Sequence, residues 1–249
     1  REMSQGTYVL VHGAWHWGWC WEKVAPLLTE AGYQVYSPTL SGLGKETSTP
    51  LGDIGLHTHI EDIVRLLKEN DLSDVQLVGH SYGGMVITGV AEREPRRLKR
   101  LIYLDAFVPE NGQRVFDLMP EQTVRSFRLN LIRKEDERQE GRGVEGGHTR
   151  SEVLFVPTLP ARVFGIKDQR DLEIVGNRLM PMPLKCFEET IAIENQEAVS
   201  IPREYIRCLE FPSFERTADR AKQAGWKYHE LKAGHDVMIT EPEVLAKEL

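Results

Sequence analysis

Six short strand-like runs divide this chain: residues 8–12 (YVLVH), 33–37 (YQVYS), 75–79 (VQLVG), 98–104 (LKRLIYL), 204–209 (EYIRCL) and 227–231 (KYHEL). The first four are short and mostly apolar, as in strands buried on both faces. Between them lie segments with helical spacing. Residues 21–31 stop at Gly32, residues 62–70 carry apolar positions at 63, 64, 66 and 67, and residues 83–93, 214–224 and the stretch from Glu243 complete the set. Strands that alternate with helices predict an α/β domain with a mostly parallel, twisted sheet covered on both sides.

The alternation fails in one place. Residues 110–196 are charged, rich in Met and Leu, and hold a glycine-laden stretch, EGRGVEGG at 140–147. Helix-like pieces are expected over 151–154, 167–177 and 183–192, with no clean strand. The predicted organisation is therefore a core of residues 1–110 and 197–249, interrupted by a helical cap of residues 111–196. No internal repeat is visible.

The whole-chain numbers narrow the partners. The 249 residues carry a net charge of −7 and no long basic run, so nucleic acid and anionic membrane are poor guesses. No apolar run reaches the roughly 20 residues that span a bilayer. Cys20, Cys186 and Cys208 are an odd, sparse set without zinc spacing, which reads as three reduced, mostly buried thiols. Residues 1–7 are polar and lack the apolar core of a signal peptide. A cytoplasmic protein without metal or cofactor is the expectation.

The chemistry concentrates at the end of the third run, where Gly79-His80-Ser81-Tyr82-Gly83 joins strand to helix. A G-x-S-x-G in that context places a serine on a tight, strained turn, and its hydroxyl projects at a helix start where N–H groups favour developing negative charge. A helix-capping serine is the bland alternative, but a cap does not need glycines on both sides. Ser81 is the candidate nucleophile. After the first strand comes His12-Gly13-Ala14-Trp15, a loop placed to supply one oxyanion N–H from Ala14, with the second from Tyr82. His12 is read as a neutral imidazole that bonds loop carbonyls and shapes this hole. Trp15, Trp17, Trp19 and Trp21 read as packing between the first helix and the cap, with Trp15 also a candidate pocket wall.

His235, in Ala233-Gly234-His235-Asp236 between the last strand and last helix, is the candidate base. His57 and His59 are expected to face solvent. His80 sits inside the turn and points away from the serine hydroxyl, His148 falls in the glycine-rich cap, and His229 is mid-strand. The acid has two candidates. Asp105 ends the apolar strand 98–104, where burial without a partner is costly and an imidazole N–H would resolve that cost. Glu210 follows the strand 204–209, the commoner site for an acid, and is the second choice.

The runs VLVHGAWHWGWCW (9–21), GHSYGGM (79–85) and AGH (233–235) resemble the plant methylesterase and hydroxynitrile lyase group and its bacterial relatives. The resemblance covers 8–110 and 203–245. It implies the α/β-hydrolase fold, Ser81 and His235 as nucleophile and base, and the N–H groups of Ala14 and Tyr82 as the oxyanion hole. Two departures stand out. The plant enzymes carry their acid at the position of Phe211, so the resemblance conflicts with a direct carry-over and favours Asp105, a placement similar to that in some haloalkane dehalogenases. The lyases have Thr and Lys where this chain has Gly13 and Asp236, which disfavours cyanide release.

The expected reaction is hydrolysis of a small, largely apolar ester, aromatic ones included, through an acyl-serine, without cofactor or metal. Trp15, Tyr82, Phe107, Met180, Met182 and Met238 are the candidate pocket walls, between sheet and cap. A homodimer stays open. A lyase or C–C hydrolase on the same fold, or a ligand receptor with a slow triad, are the rival readings.

Overall fold

The computed structural model describes residues 5–45, 48–139 and 148–249. Among the described residues nine strands run in chain order: β1 Thr7–Val11, β2 Gln34–Tyr36, β3 Val75–His80, β4 Leu98–Leu104, β5 Ile132–Gln139, β6 His148–Val156, β7 Met182–Pro183, β8 Arg203–Cys208 and β9 Lys227–Leu231. Ten α-helical segments accompany them there: α1 Ala25–Glu30, α2 Leu56–Glu69, α3 Gly83–Arg93, α4 Glu121–Leu129, α5 Gln169–Arg178, α6 Lys185–Glu188, α7 Gln196–Val199, α8 Glu215–Gln223, α9 Val237–Thr240 and α10 Pro242–Glu248.

Six strands form one parallel sheet in the order β2-β1-β3-β4-β8-β9. The central strands explain why the apolar runs are unbroken. Every residue of β1 and of β3 is buried, because helices cover both faces and neither face meets water. Two apolar clusters result. One packs Ile63, Val64 and Leu67 of α2 and Val86 and Val90 of α3 against Val9 and Leu77. The other packs Trp21, Val24 and Leu28 against Tyr8, Leu10 and Val78. Burial at roughly 25 cal/mol per Å² of apolar surface is the main source of stability for such a sheet. All three cysteines are free and buried, and no helix among the described residues is long and apolar enough to cross a membrane.

The insertion between β4 and β8 differs from its predicted form. It is not all helical. β5, β6 and β7 make a three-stranded antiparallel sheet, and the expected helix at 151–154 lies within β6. The charges of IRKEDERQ hid β5, because its stability comes from partners across the hairpin. Arg133 pairs with Glu152 at 3.0 Å, and Lys134 sits 4.7 Å over the Phe155 ring. Such cross-strand contacts are invisible to a local pattern. The expected helix at 167–177 is α5, whereas that at 183–192 shrinks to the single turn of α6. The glycine-laden stretch 140–147 lies outside the described residues.

Candidate active site

The segments that leave three adjacent strands, β1, β3 and β4, each carry a residue in a strained backbone conformation. Among non-glycine residues, Trp15 after β1 has φ +66°, Ser81 after β3 has φ +56° and Asp105 after β4 has φ +42°. Positive φ is uncommon for such residues and persists only where surrounding structure holds it. Ser81 is held on both sides: its N–H donates to the Leu104 carbonyl at 3.3 Å, and its carbonyl accepts from Phe107 N–H at 3.1 Å and Gly84 N–H at 3.0 Å. Position 79 must be glycine for the turn to close, since a Cβ there would stand 2.5 Å from the Gly83 carbonyl oxygen.

Asp105 is fully buried, and the environment answers its charge. One carboxylate oxygen accepts from Cys208 N–H at 3.1 Å and the other accepts from His235 Nδ1 at 2.6 Å. Burial raises the carboxyl above its ordinary range, and the Cys208 N–H works against that rise. The same burial pushes His235 down to about 4, so the imidazole is a free base near neutrality. With Nδ1 committed to Asp105, Nε2 is the nitrogen left for a proton from elsewhere. Ser81 and His235 line one cavity of about 170 Å³. Glu210, the second choice for the acid, lies elsewhere. It is half exposed and faces Lys167 at 3.7 Å.

Ala14 and Tyr82 line the same cavity beside Ser81. His12 bonds the peptide that carries the first of these N–H groups. Its Nε2 accepts from Leu40 N–H at 3.0 Å, which leaves the proton on Nδ1 to donate to the Gly13 carbonyl at 2.9 Å. That carbonyl belongs to the peptide whose N–H is Ala14's. Burial holds His12 at about 3, consistent with this neutral tautomer. The second N–H carrier is braced by its side chain: Tyr82 Oη donates to His59 Nδ1 at 2.8 Å, because His59 Nε2 donates to the Ser41 carbonyl at 2.8 Å. His59 is thus buried, against the expectation that it faces solvent, while His57 is exposed. The reason is that α2 begins at Leu56 and turns position 59 inward.

The cavity wall corrects the methionines. Trp15, Tyr82 and Phe107 line it, but Met180, Met182 and Met238 do not. Met182 packs in the apolar cluster that α2 and α3 share with the sheet and Met238 in the other cluster, both fully buried. Met180 offers its sulfur to Gly44 N–H at 3.0 Å on another face. The sequence reading missed five phenylalanines that do the lining: Phe127, Phe164 and Phe187 from the insertion, Phe211 and Phe214 from the core. Phe211 stacks on His235 with ring centres 4.2 Å apart. Helical spacing in α4 was the available signal for Phe127; nothing local marks the others.

Among the described residues, His80, His235 and Asp236 bring ligand-type atoms within 4.8 Å of one another, all buried. Each side chain already has a protein partner. His80 Nε2 donates to the His235 carbonyl at 2.8 Å, His235 is bound to Asp105, and Asp236 to His16. Ser81, His235, Ala14 and Tyr82 thus line one mainly apolar cavity, and the buried Asp105 carboxylate bonds His235 from outside that lining.

A family profile described as "Alpha/beta hydrolase family" matches residues 8–248. The chain is 35% identical to the carbendazim hydrolyzing esterase of Nocardioides sp. (strain SG-4G), over 98% of each chain. It is 27% identical to Methylesterase 2 of Arabidopsis thaliana, covering 100% of this chain and 96% of the other. Among solved structures it superposes on an extracellular alpha/beta-hydrolase from a Paenibacillus species, described as sharing structural and functional homology with tobacco salicylic acid binding protein 2. The TM-score is 0.77, with 26% identity over 97% of this chain and 96% of that one.

Proposed function

The chain belongs to the alpha/beta hydrolase family, and from that premise we propose that it is a carboxylesterase that cleaves a small, apolar, aromatic ester through an acyl-Ser81 intermediate. The observation that carries this reading is the 2.6 Å contact of Asp105 with His235 Nδ1, made on the same cavity that Ser81 lines. His235 Nε2 takes the Ser81 proton, the alkoxide attacks the ester carbonyl, and the N–H groups of Ala14 and Tyr82 receive the oxyanion. Asp105 fixes the tautomer and stabilises the imidazolium. His235 returns the proton to the departing alkoxide, and water then repeats the sequence on the acyl-enzyme.

The substrate class follows from the wall. Trp15, Phe107, Phe127, Phe164, Phe187, Phe211 and Phe214 surround about 170 Å³, which favours a flat apolar group the size of one or two rings. Relatives named as esterases point the same way. Lyase chemistry has little support here. Asp236, a carboxylate, follows His235 where the resembling lyases carry their cation.

Turnover of nitrophenyl esters by wild type and Ser81→Ala tests the proposal. The expected result is a burst of nitrophenol, preference for short or aromatic acyl groups, and loss of kcat on the order of 10⁶-fold in the variant. Wild-type turnover that Ser81→Ala leaves intact, or tight ester binding without hydrolysis, overturns it. Cyanide release from mandelonitrile at a rate above ester cleavage overturns it in favour of a lyase.

A further inference from the structure

Directly behind the cavity, His16 is 2% and Asp236 0% exposed. His16 Nε2 lies 2.7 Å from Asp236 Oδ2, and His16 Nδ1 lies 2.7 Å from the Ala14 carbonyl oxygen. Both partners accept: Ala14 offers a carbonyl, and Asp236, lowered from the ordinary carboxyl range by the charge and hydrogen bond of His16 against the opposing effect of burial, is an ionised carboxylate. A neutral imidazole carries one N–H and one lone pair, so it satisfies only one of them. Two donors are needed at these distances, and only the imidazolium has two.

The pair's neighbours are the parts that must be held still. Ala14 is an oxyanion donor, and Asp236 is the residue after His235. The loops bearing them meet only in the folded chain, 220 positions apart. We propose that His16 is a fixed imidazolium, paired with Asp236, and a positioning residue that locks the Ala14 loop to the His235 loop. The proposal rests on the esterase reading for the purpose of that lock, and on hydrogen-bond geometry for the charge.

The surroundings agree. Burial disfavours the cation, but the Asp236 charge and its hydrogen bond outweigh burial and raise His16 above the ordinary histidine range. The titratable groups that interact with the pair are His12, His80, His235, Cys20, Cys208 and Asp105. Burial holds the three histidines low and the two thiols high, and Asp105 is bonded to His235 Nδ1, so Asp236 is the carboxylate in direct contact with His16. His80 Nε2 lies 3.9 Å from Asp236 Oδ1, while Trp19 stacks on the His16 ring at 6.3 Å and Phe164 meets it edge-on at 5.1 Å. Asp236 N–H donates to the Phe164 carbonyl at 2.9 Å, which closes the loop.

The test has two arms. Nitrogen-15 NMR of histidine-labelled protein, with His16 assigned by its loss in His16→Gln, reads the charge in the wild type. Two protonated ring nitrogens between pH 6 and 8 are expected; one bare nitrogen overturns the proposal. Kinetics of Asp236→Asn reads the lock: kcat is expected to fall about ten- to hundredfold with KM within about twofold, and Asp236→Glu to recover part of it. An unchanged kcat in Asp236→Asn overturns the positioning role. If that variant does not fold, the Asp236→Glu split of kcat against KM decides the role, and the wild-type spectrum decides the charge. A wild type without esterase activity would sink the functional reading alone, since the spectrum would still report the cation.

Discussion

The core and the insertion meet at one cavity but bring different things to it. The core supplies Ser81, His235, Ala14, Tyr82 and the buried Asp105, placed by strand ends whose backbones are strained and cross-bonded. The insertion supplies Leu118, Met119, Pro120, Thr123, Phe127, Leu159, Phe164 and Phe187, side chains with almost no polar function. Reactive groups need angular precision, which a parallel sheet provides at its strand ends. A wall needs only volume and shape, which many chain geometries can supply. Chemistry should therefore be brittle to changes in the core, and selectivity plastic to changes in the insertion.

The sharpest way to break that division is at the acid. Asp105→Asn keeps the size of the side chain but lets an amide face Nδ1, which favours the wrong imidazole tautomer. We expect kcat to fall by about 10⁴-fold with KM little changed, read by steady-state ester hydrolysis. A fall below tenfold would mean that the core's carboxylate is dispensable.

The insertion's counterpart is Phe127 on α4, whose ring lies 5.9 Å from Trp15. Phe127→Ala should remove about 1–2 kcal/mol of transition-state binding, roughly five- to thirtyfold in kcat/KM for a small aryl ester. Longer acyl chains should gain relative to short ones as the wall recedes. A loss of the same size for every ester would place Phe127 in the chemistry and blur the comparison.

The same division explains what could be read from residues alone. The parallel sheet was legible because each of its central strands announces itself as a local apolar run. Ser81, Ala14, Tyr82 and His235 sit in motifs a few residues long, and the contact of Asp105 with His235 could be anticipated because a carboxylate ending an apolar strand demands a partner. The three-stranded sheet of the insertion was not legible, since Arg133 finds Glu152 and Lys134 finds Phe155 only after the hairpin forms. His59 was misplaced because α2 opens on Gly55, with the Thr58 hydroxyl accepting from the Gly55 N–H at 3.1 Å, a start signal weaker than an acidic or Asn cap. Met182 and Met238 were offered as walls on residue type alone, and type does not say which face of a core a side chain meets. The pair of His16 and Asp236 joins two loops with no sequence relation.

One measurement crosses the boundary between the regions. Burial holds His235 down at about 4, and Phe164 from the insertion is part of that cover, 5.9 Å from the ring. In the proposed mechanism His235 works only when unprotonated, so activity is expected to be lost as pH falls through the folded value. At pH 5 a group with that value is about 90% free base, against about 3% for an ordinary histidine near 6.5. The acid limb of kcat/KM is therefore expected near pH 4, and Phe164→Ala should move it upward by admitting water, with several-fold lower activity at pH 5 and recovery at pH 8. A wild-type limb near 6.5 would mean that the cover does not keep His235 dry.

The smallest expected effect is the most discriminating for the acid. Glu210 occupies the commoner position for the carboxylate, so Glu210→Gln asks whether position or contact decides. Its only ion-pair partner among the described residues is Lys167 at 3.7 Å, with both side chains half exposed or more. Solvent screens such a pair to between zero and about 1 kcal/mol. Hydrolysis by Glu210→Gln should stay within about twofold of wild type, with an unmoved acid limb. A hundredfold loss would transfer the acid's role to Glu210 and leave the buried carboxylate at the end of β4 as a structural partner of His235.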